Sequence, residues 1–524
     1  MKMLQKSVCA LLIFQCLSLI GQAQNKIAKT ISADEMRTDL YFLAGEDCAG
    51  RGTDQAGLQV AAAYIAKQME AAKVPAPTMV QYNGDTTRNS YFQKVPLLKK
   101  GIQTLELTIK GQTIKPYSEF YVDKNTYSNT VEATEIVFLG FGIDDANYSD
   151  LTVDITDKIV MIAEGEPMKK GISWVTKTDK RSKYASNFRA KVKELKKRNP
   201  KAIICTGASV GDMMAKYGEY LSAATYSVDD AKAEKNRVES IPVINITPDV
   251  AKLLLPKYAN YLKKISRKGK PQTFVFPAYF RANIETFEKK VVSQNIAGFI
   301  KGTQKPDEVV VISAHYDHLG KNDKQTFYGA DDNGSGTTMV INLMRAFAKT
   351  VGTDYAPKRS ILFLFMTGEE KGLLGSEYYT YNPIFPLKNT IADLNTDMVG
   401  RIDDAHANNP NYVYVIGADK ISTELSQINE EANSDVGLEL DYTYNDENDP
   451  NQFYYRSDHY NFAKNGVPVI FYFNGVHADY HQPTDTPDKI DFPKMKKIAN
   501  LVFYTASELA SRPERLKIDV KTAE

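Results

Sequence analysis

All six histidines of this 524-residue chain fall between residues 315 and 481, as His315, His318, His406, His459, His477 and His481. The first 314 residues hold none. Histidines scattered for packing would not segregate in this way, so the second half is expected to carry a functional cluster. Five short segments there contain metal-binding residue types. They are SAHYDHLG with His315 and Asp317, GADDNGSG with Asp331 and Asp332, TGEEKG with Glu369 and Glu370, NTDMVG with Asp397, and DYHQPTDT with His481. Carboxylates combined with neutral imidazoles suit Zn²⁺, and also Mn²⁺ or Co²⁺. There is no cysteine ligand set and no H-E-x-x-H helix. The adjacent Glu369 and Glu370 repel one another unless a cation offsets one charge, and the other is then free to move a proton.

These segments sit at the ends of apolar runs. EVVVISA (308–314), SILFLFM (360–366), TIADLNTDMV and VPVIFYF (467–473) read as buried strands, and SGTTMVINLMRAFAKT (335–350) and GLLGSEYYTY as helices. Strand–helix alternation with fully apolar, β-branched strands predicts an α/β fold whose mixed, largely parallel sheet has helices on both faces. Ligands bind such sheets at the carboxyl ends of the strands, where the metal-binding residue types fall.

The length exceeds what one core supports, so two or more domains are expected. Ala33–Leu43 and Leu58–Ala72 have helical apolar spacing, separated by the Gly-rich loop GEDCAGRGTDQAG. Between about 100 and 275 the texture changes to short β-rich runs (TLELTI, EIVFLGFGI, KIVMIAEG, AIICTGA, IPVINIT) and one basic helical stretch, Lys191–Arg198. This predicts a separate, β-rich domain. A net charge of +1 without a long basic block argues against nucleic acid or an anionic membrane as partner. Lys2 and Lys6, the uncharged run Ser7–Ile20 and GQA before Gln24 read as a secretory signal over 1–23. The expected mature protein is exported to the periplasm or outside the cell and is free of the membrane. Neither Cys9 nor Cys16 lies in a convincing lipoprotein site, and Cys48 and Cys205 are expected to be free, buried thiols.

From YFLAGEDCAGRGT and from QNIAGFIKGTQKPDEVVVISAHYDHLG to YHQPTDTPDKI, the chain resembles the co-catalytic dinuclear-zinc exopeptidases. That family includes bacterial zinc aminopeptidases, glutamate carboxypeptidase and glutaminyl cyclase. The resemblance covers most of 35–98 and 280–510, and implies a catalytic domain over 24–98 and 276–524. Residues 99–275, through VFLGFGI, DKIVMIAEG and IPVINIT, resemble the inserted protease-associated domain of many members. The resemblance implies two Zn²⁺ ions per chain, one on His315 and Asp397, the other on Glu370 and His481, with Asp332 bridging. It implies Glu369 as general base, Asp317 as the carboxylate that orients His315, and Asp331 as a loop residue behind the ligands. Three ligand carboxylates nearly neutralise two divalent ions, and the remaining positive charge favours ionisation of a bound water. A tyrosine donor for the oxyanion is expected, without a position.

The expected activity is that of an aminopeptidase on peptide substrates, using metal-activated water. Single-zinc glutaminyl cyclase chemistry and a glutamate carboxypeptidase-like reaction are the enzymatic alternatives. The carboxypeptidase needs a cationic cluster that the sequence does not reveal. A non-catalytic receptor-like ectodomain would have lost ligands or base, and every expected position is filled. Asp458 and His459 in RSDHYNF stay open between lining the site and structural hydrogen bonding, and His318 is left without a role. His477 is expected at the surface near the mouth, His406 exposed, and YNDENDPNQFYYRSD (444–458) as a solvated loop. The oligomeric state is left open.

Overall fold

The computed structural model describes residues 25–80, 87–124, 126–186, 188–229 and 241–520. The signal expected at 1–23 lies outside the described residues, as do Cys9 and Cys16. The chain divides into two compact units, one built from the chain up to Leu97 and from Val291 onward, the other from Leu98–Lys290.

Among the described residues of the first unit, the apolar runs contribute seven successive strands to the large sheet. They are β1 (Phe274–Ile300, through its end at Ile296–Ile300), β2 (Lys305–His315), β3 (Arg359–Met366), β4 (Thr390–Thr396), β5 (Tyr412–Ile416), β6 (Glu439–Asp441) and β7 (Val469–Phe473). The order is β6-β5-β7-β4-β2-β3-β1. Strand β2 runs parallel to β3 and β4, β4 to β7, and β5 to β6, while β1–β3 and β5–β7 are antiparallel. Side chains alternate across a strand, so consecutive apolar residues feed opposite faces. Val310, Ile312 and Ala314 pack with helices α1 (Ala33–Leu43), α2 (Ala56–Ala71), α3 (Gly336–Ala348) and α6 (Phe492–Ser511). Val309 and Val311 join the opposite core, with Tyr379 of α4 (Leu374–Tyr381) and Phe462. Helix α5 (Thr423–Asn433) adds Leu425 and Ile428 to the first face. A sheet covered on both faces requires this two-sided apolarity.

In the second unit, Ile159–Ala163 pairs parallel with Ala202–Thr206, which pairs parallel with Val243–Ile246. Asn129–Phe138 runs parallel to Ile159–Ala163 and antiparallel to the Phe274–Ile284 part of β1. The return to the first unit comes after Lys290, where residue 275 was expected. The physical reason is the alternation of β1. Phe276, Ala278, Phe280, Ala282 and Ile284 are buried in the second unit's core, and only from Ile296 does the strand feed the first. Cys48 and Cys205 are free and buried.

Candidate metal centre

Each candidate residue follows a strand's carboxyl end or opens a helix. His315 is the last residue of β2, with Asp317 and His318 just beyond, and Asp397 directly follows β4. Asp332 lies in the turn Ala330–Ser335 before α3, and the Asp332–Asn333 peptide is cis. Glu369–Lys371 is a single helical turn after β3, entered through Gly368 at φ 67. His481 lies in the loop after β7.

The chain brings these residues together. His315 Nε2 stands 3.3 Å from Asp397 Oδ1 and 3.5 Å from Asp332 Oδ1, with Glu369 Oε2 at 3.9 Å. His481 Nε2 stands 3.1 Å from Asp332 Oδ2 and 3.2 Å from Glu370 Oε2. Asp332 thus turns one oxygen to each group. Two donors sharing a tetrahedral ion at about 2.0–2.1 Å are separated by roughly 3.3 Å, so this spacing fits divalent cations. His315 Nε2 and Asp397 Oδ1 are buried and make no hydrogen bond, as atoms reserved for an ion would. Among the described residues, histidines are the only basic side chains paired with Asp332, Glu369, Glu370 and Asp397. Uncompensated buried carboxylates at this density are expensive without a cation.

The surrounding groups hold the cluster mainly through main-chain contacts. His315 Nδ1 lies 3.1 Å from the Asp317 carbonyl oxygen, while the Asp317 carboxylate is 3.8 Å from that nitrogen. The expected carboxylate–imidazole hydrogen bond is therefore replaced by a carbonyl contact. The Asp317 carboxylate instead accepts from the Thr53 hydroxyl at 2.7 Å and from the Glu369 N–H at 3.1 Å. Ser457 donates to Asp397 Oδ2 at 2.7 Å and accepts from Asn395 at 2.9 Å. Asp485, which the sequence did not single out, accepts from the N–H groups of Asp331 and Asp332 at 3.0–3.1 Å. Asp331 accepts from the Gly400 N–H and pairs with His477 at 3.2 Å, so His477 is tied to the loop behind the cluster. Buried Arg51 donates to the carbonyls of Tyr316, Leu43, Tyr328 and Gly329, binding the GRGT loop to the strand end and turn of the site.

Charge divides the glutamate pair. Burial raises the Glu369 carboxyl well above its usual range; His315 opposes this, but Glu370, Asp397 and Asp458 add to it. Burial acts on Glu370 in the same direction, yet His318 and His481 reverse it and hold that carboxyl well below the usual range. The two neighbouring carboxyls are thus shifted in opposite directions.

A small pocket opens beside the cluster, with Asp332, Glu369 and Asp397 in its wall. Met398, Phe453, Phe471, Phe473 and Val476 supply its apolar part, and Arg456 and Tyr480 add polar groups. Tyr480 stacks on His481 at 3.9 Å. Burial, with Asp332, Glu370 and Glu369 nearby, pushes its hydroxyl above the usual range and keeps it a donor. The sequence left the expected tyrosine donor without a position; Tyr480 is the tyrosine on this wall.

Two further sequence expectations change, for His406 and for segment 444–458, and the open reading of Asp458 and His459 narrows. His406 is buried, stacked on Tyr412 at 3.5 Å and paired with Asp403 and Asp441, because its two neighbouring carboxylates satisfy both ring nitrogens. Segment 444–458 is packed as well as solvated: Phe453 lines the cavity and contacts Phe473, and Ser457 reaches Asp397. His459 stacks on Phe471 at 4.7 Å, and burial lowers it to about 3, which fits a neutral structural residue. Asp458 accepts from Ser376 at 2.5 Å, behind the cluster.

The site thus lies past the carboxyl ends of a mixed, largely parallel sheet covered by helices. Residues 295–506 match the profile of peptidase family M28. A probable leucine aminopeptidase of Trichophyton verrucosum (strain HKI 0517) is 31% identical over 237 residues, covering 44% of this chain and 61% of that protein. Aminopeptidase YwaD of Bacillus subtilis (strain 168) is 28% identical over 241 residues, covering 44% and 48%. The chain therefore spans less than two thirds of the length of these relatives. The aminopeptidase from Aneurinibacillus sp. strain AM-1 shares the fold with a TM-score of 0.57 at 20% identity, over 95% of this chain and 98% of that one. BSAP, a zinc aminopeptidase from Bacillus subtilis, gives a TM-score of 0.52 at 18% identity, over 94% and 99%.

Proposed function

We propose that the protein is an exported zinc aminopeptidase that removes N-terminal residues from peptides. The observation that carries this reading is the division of Asp332 between two groups. Its Oδ1 faces His315, which also meets Asp397, and its Oδ2 faces His481, which also meets Glu370. Glu369 stands beside the first group with its carboxylate uncommitted. His315 and Asp397 would hold one zinc ion and Glu370 and His481 a second, with Asp332 shared. Bound zinc supplies Lewis acidity, which polarises a carbonyl and lowers the pKa of water.

The chain's own residues supply the proton movement. Glu369 takes the proton of the attacking water and returns it to the leaving amine. Asp317 and Thr53 fix the turn that carries Glu369. Tyr480 presents a hydroxyl donor on the cavity wall for the developing oxyanion. The apolar wall formed by Met398, Phe453, Phe471 and Phe473 suits an apolar N-terminal side chain, in keeping with the leucine aminopeptidase names of relatives. Export rests on the leader composition at 1–23, and the β-rich second unit is read as a protease-associated domain.

The test is a substrate panel: leucyl, phenylalanyl, glutamyl and lysyl chromophore amides, a peptide ending in glutamate, and a peptide beginning with glutamine. Zinc-dependent release from the leucyl and phenylalanyl amides is expected. Cyclisation of the glutamine peptide, or C-terminal release without N-terminal release, contradicts the proposal.

A further inference from the structure

His318 lies three residues beyond His315, is fully buried, and has no part in the ligand assignment above. Its position is closely determined. Its N–H donates to the Arg51 carbonyl at 3.1 Å, and its backbone bridges to Gly52. Gly329, at φ 57, approaches the ring so closely that a Cβ would lie 2.5 Å from Cγ and Cδ2, so only glycine fits beside it.

The ring's polar contact is with Glu370. His318 Nδ1 stands 2.7 Å from Glu370 Oε1, whereas the other carboxylate oxygen, Oε2, faces His481 Nε2 at 3.2 Å. Each oxygen of Glu370 therefore meets a different imidazole. His318 Nδ1, Asp332 and Glu370 lie close enough together to suggest a third imidazole ligand. The separations argue otherwise. Co-ligands of a tetrahedral ion lie roughly 3.3 Å apart, a spacing the His481 contacts approach. The His318–Glu370 contact at 2.7 Å is instead hydrogen-bond length, and Asp332 Oδ2 lies 3.8 Å from the same nitrogen.

We infer that His318 is a positioning residue for the second metal position: its Nδ1–H holds Glu370 Oε1, so that only Oε2 is presented beside His481 and Asp332. The inference rests on the two-zinc reading above. An imidazole that holds a carboxylate ligand in one orientation removes the alternative two-oxygen arrangement and the entropy of choosing between them. Lost hydrogen bonds of this kind weaken metal binding by about 10–100-fold.

The experiment dialyses zinc-loaded full-length protein against graded chelator and reads zinc per chain by elemental analysis. Wild type should retain two ions. His318→Ala should keep one ion as tightly as wild type and release the other at chelator activity lower by about 10–100-fold. His318→Asn, whose amide nitrogen can occupy the Nδ1 position, should restore most of the lost affinity. His318→Leu, which fills the ring's space without a donor, should behave like alanine and replaces it if the cavity variant does not fold. At saturating cobalt the visible spectrum of His318→Leu should match wild type, because no ligand is lost.

Unchanged zinc retention in His318→Leu overturns the inference. A changed cobalt spectrum, with no rescue by asparagine, also overturns it and makes His318 a direct ligand. A single ion in wild type would instead overturn the two-zinc reading, a result distinct from either.

Discussion

The Glu369 N–H donates to Asp317 Oδ1 at 3.1 Å, so the carboxylate two residues past His315 steadies the residue read as the general base. Thr53 holds the other Asp317 oxygen at 2.7 Å. Glu369 is thus positioned through its backbone, in a contact that does not engage its carboxylate. Glu369→Gln preserves this backbone contact and the side chain's shape. It should lower turnover by about 10²–10⁴-fold, the usual contribution of a positioned base, with zinc content unchanged. Steady-state kinetics beside elemental analysis checks this; near-wild-type turnover refutes the assignment of the base.

Asp485 organises the turn that carries Asp331 and Asp332. Its carboxylate accepts from the N–H groups of Asp331 and Asp332, and burial together with Asp331 pushes it up despite those contacts. Asp485→Ala leaves two buried N–H groups without their acceptor, at a cost of about 1–3 kcal/mol each. Thermal melting of the zinc-free protein should show the lower stability, and chelator competition a weaker hold on zinc. Unaltered zinc retention would remove Asp485 from the metal-centre account.

Arg51 spans four main-chain carbonyls with one planar guanidinium. A lysine ammonium keeps the charge without that geometry. Arg51→Lys should therefore destabilise the first unit by on the order of 3 kcal/mol, from carbonyls left unpaired in the interior. Denaturant titration of the two proteins measures the difference, and a loss below about 1 kcal/mol would mean that charge alone sufficed.

Lys191 gives the second unit a pH signature. It is buried, donates to the Ala163 and Gly165 carbonyls, and is lowered from 10.5 to about 8, chiefly by burial. Between those values the unfolded chain binds a proton that the folded unit does not, so stability rises with pH across that window. Below about pH 8 both states are charged and the burial cost is fully present; above about pH 10.5 both are neutral. The rise should be on the order of 3 kcal/mol and absent from Lys191→Met. Urea unfolding followed by Trp174, the chain's one tryptophan, reports on this unit. Parallel pH profiles for the two proteins would contradict the shift.

Much of the site was legible because ligand chemistry and strand pattern coincide in sequence. The runs 309–315, Arg359–Met366 and Thr390–Thr396 are buried throughout, and the residues just beyond them converge. What escaped notice works through backbone contacts or long-range pairing. Arg51 and Asp485 hold carbonyl and N–H groups, which no side-chain motif announces. His318 and Tyr480 were visible as sequence neighbours of His315 and His481, but their partners were not, since Glu370 is 52 positions from His318. The second unit's limit was misplaced because β1 serves one core up to Ile284 and another from Ile296.

The central claim is that two ions and a free glutamate act together on an N-terminal peptide bond. Its most direct measurement strips the protein with chelator, restores zinc in fractions of an equivalent, and follows leucyl-amide hydrolysis beside zinc per chain. Activity should reach its plateau only as the second equivalent binds. Full activity at one equivalent, or none at two, contradicts the account.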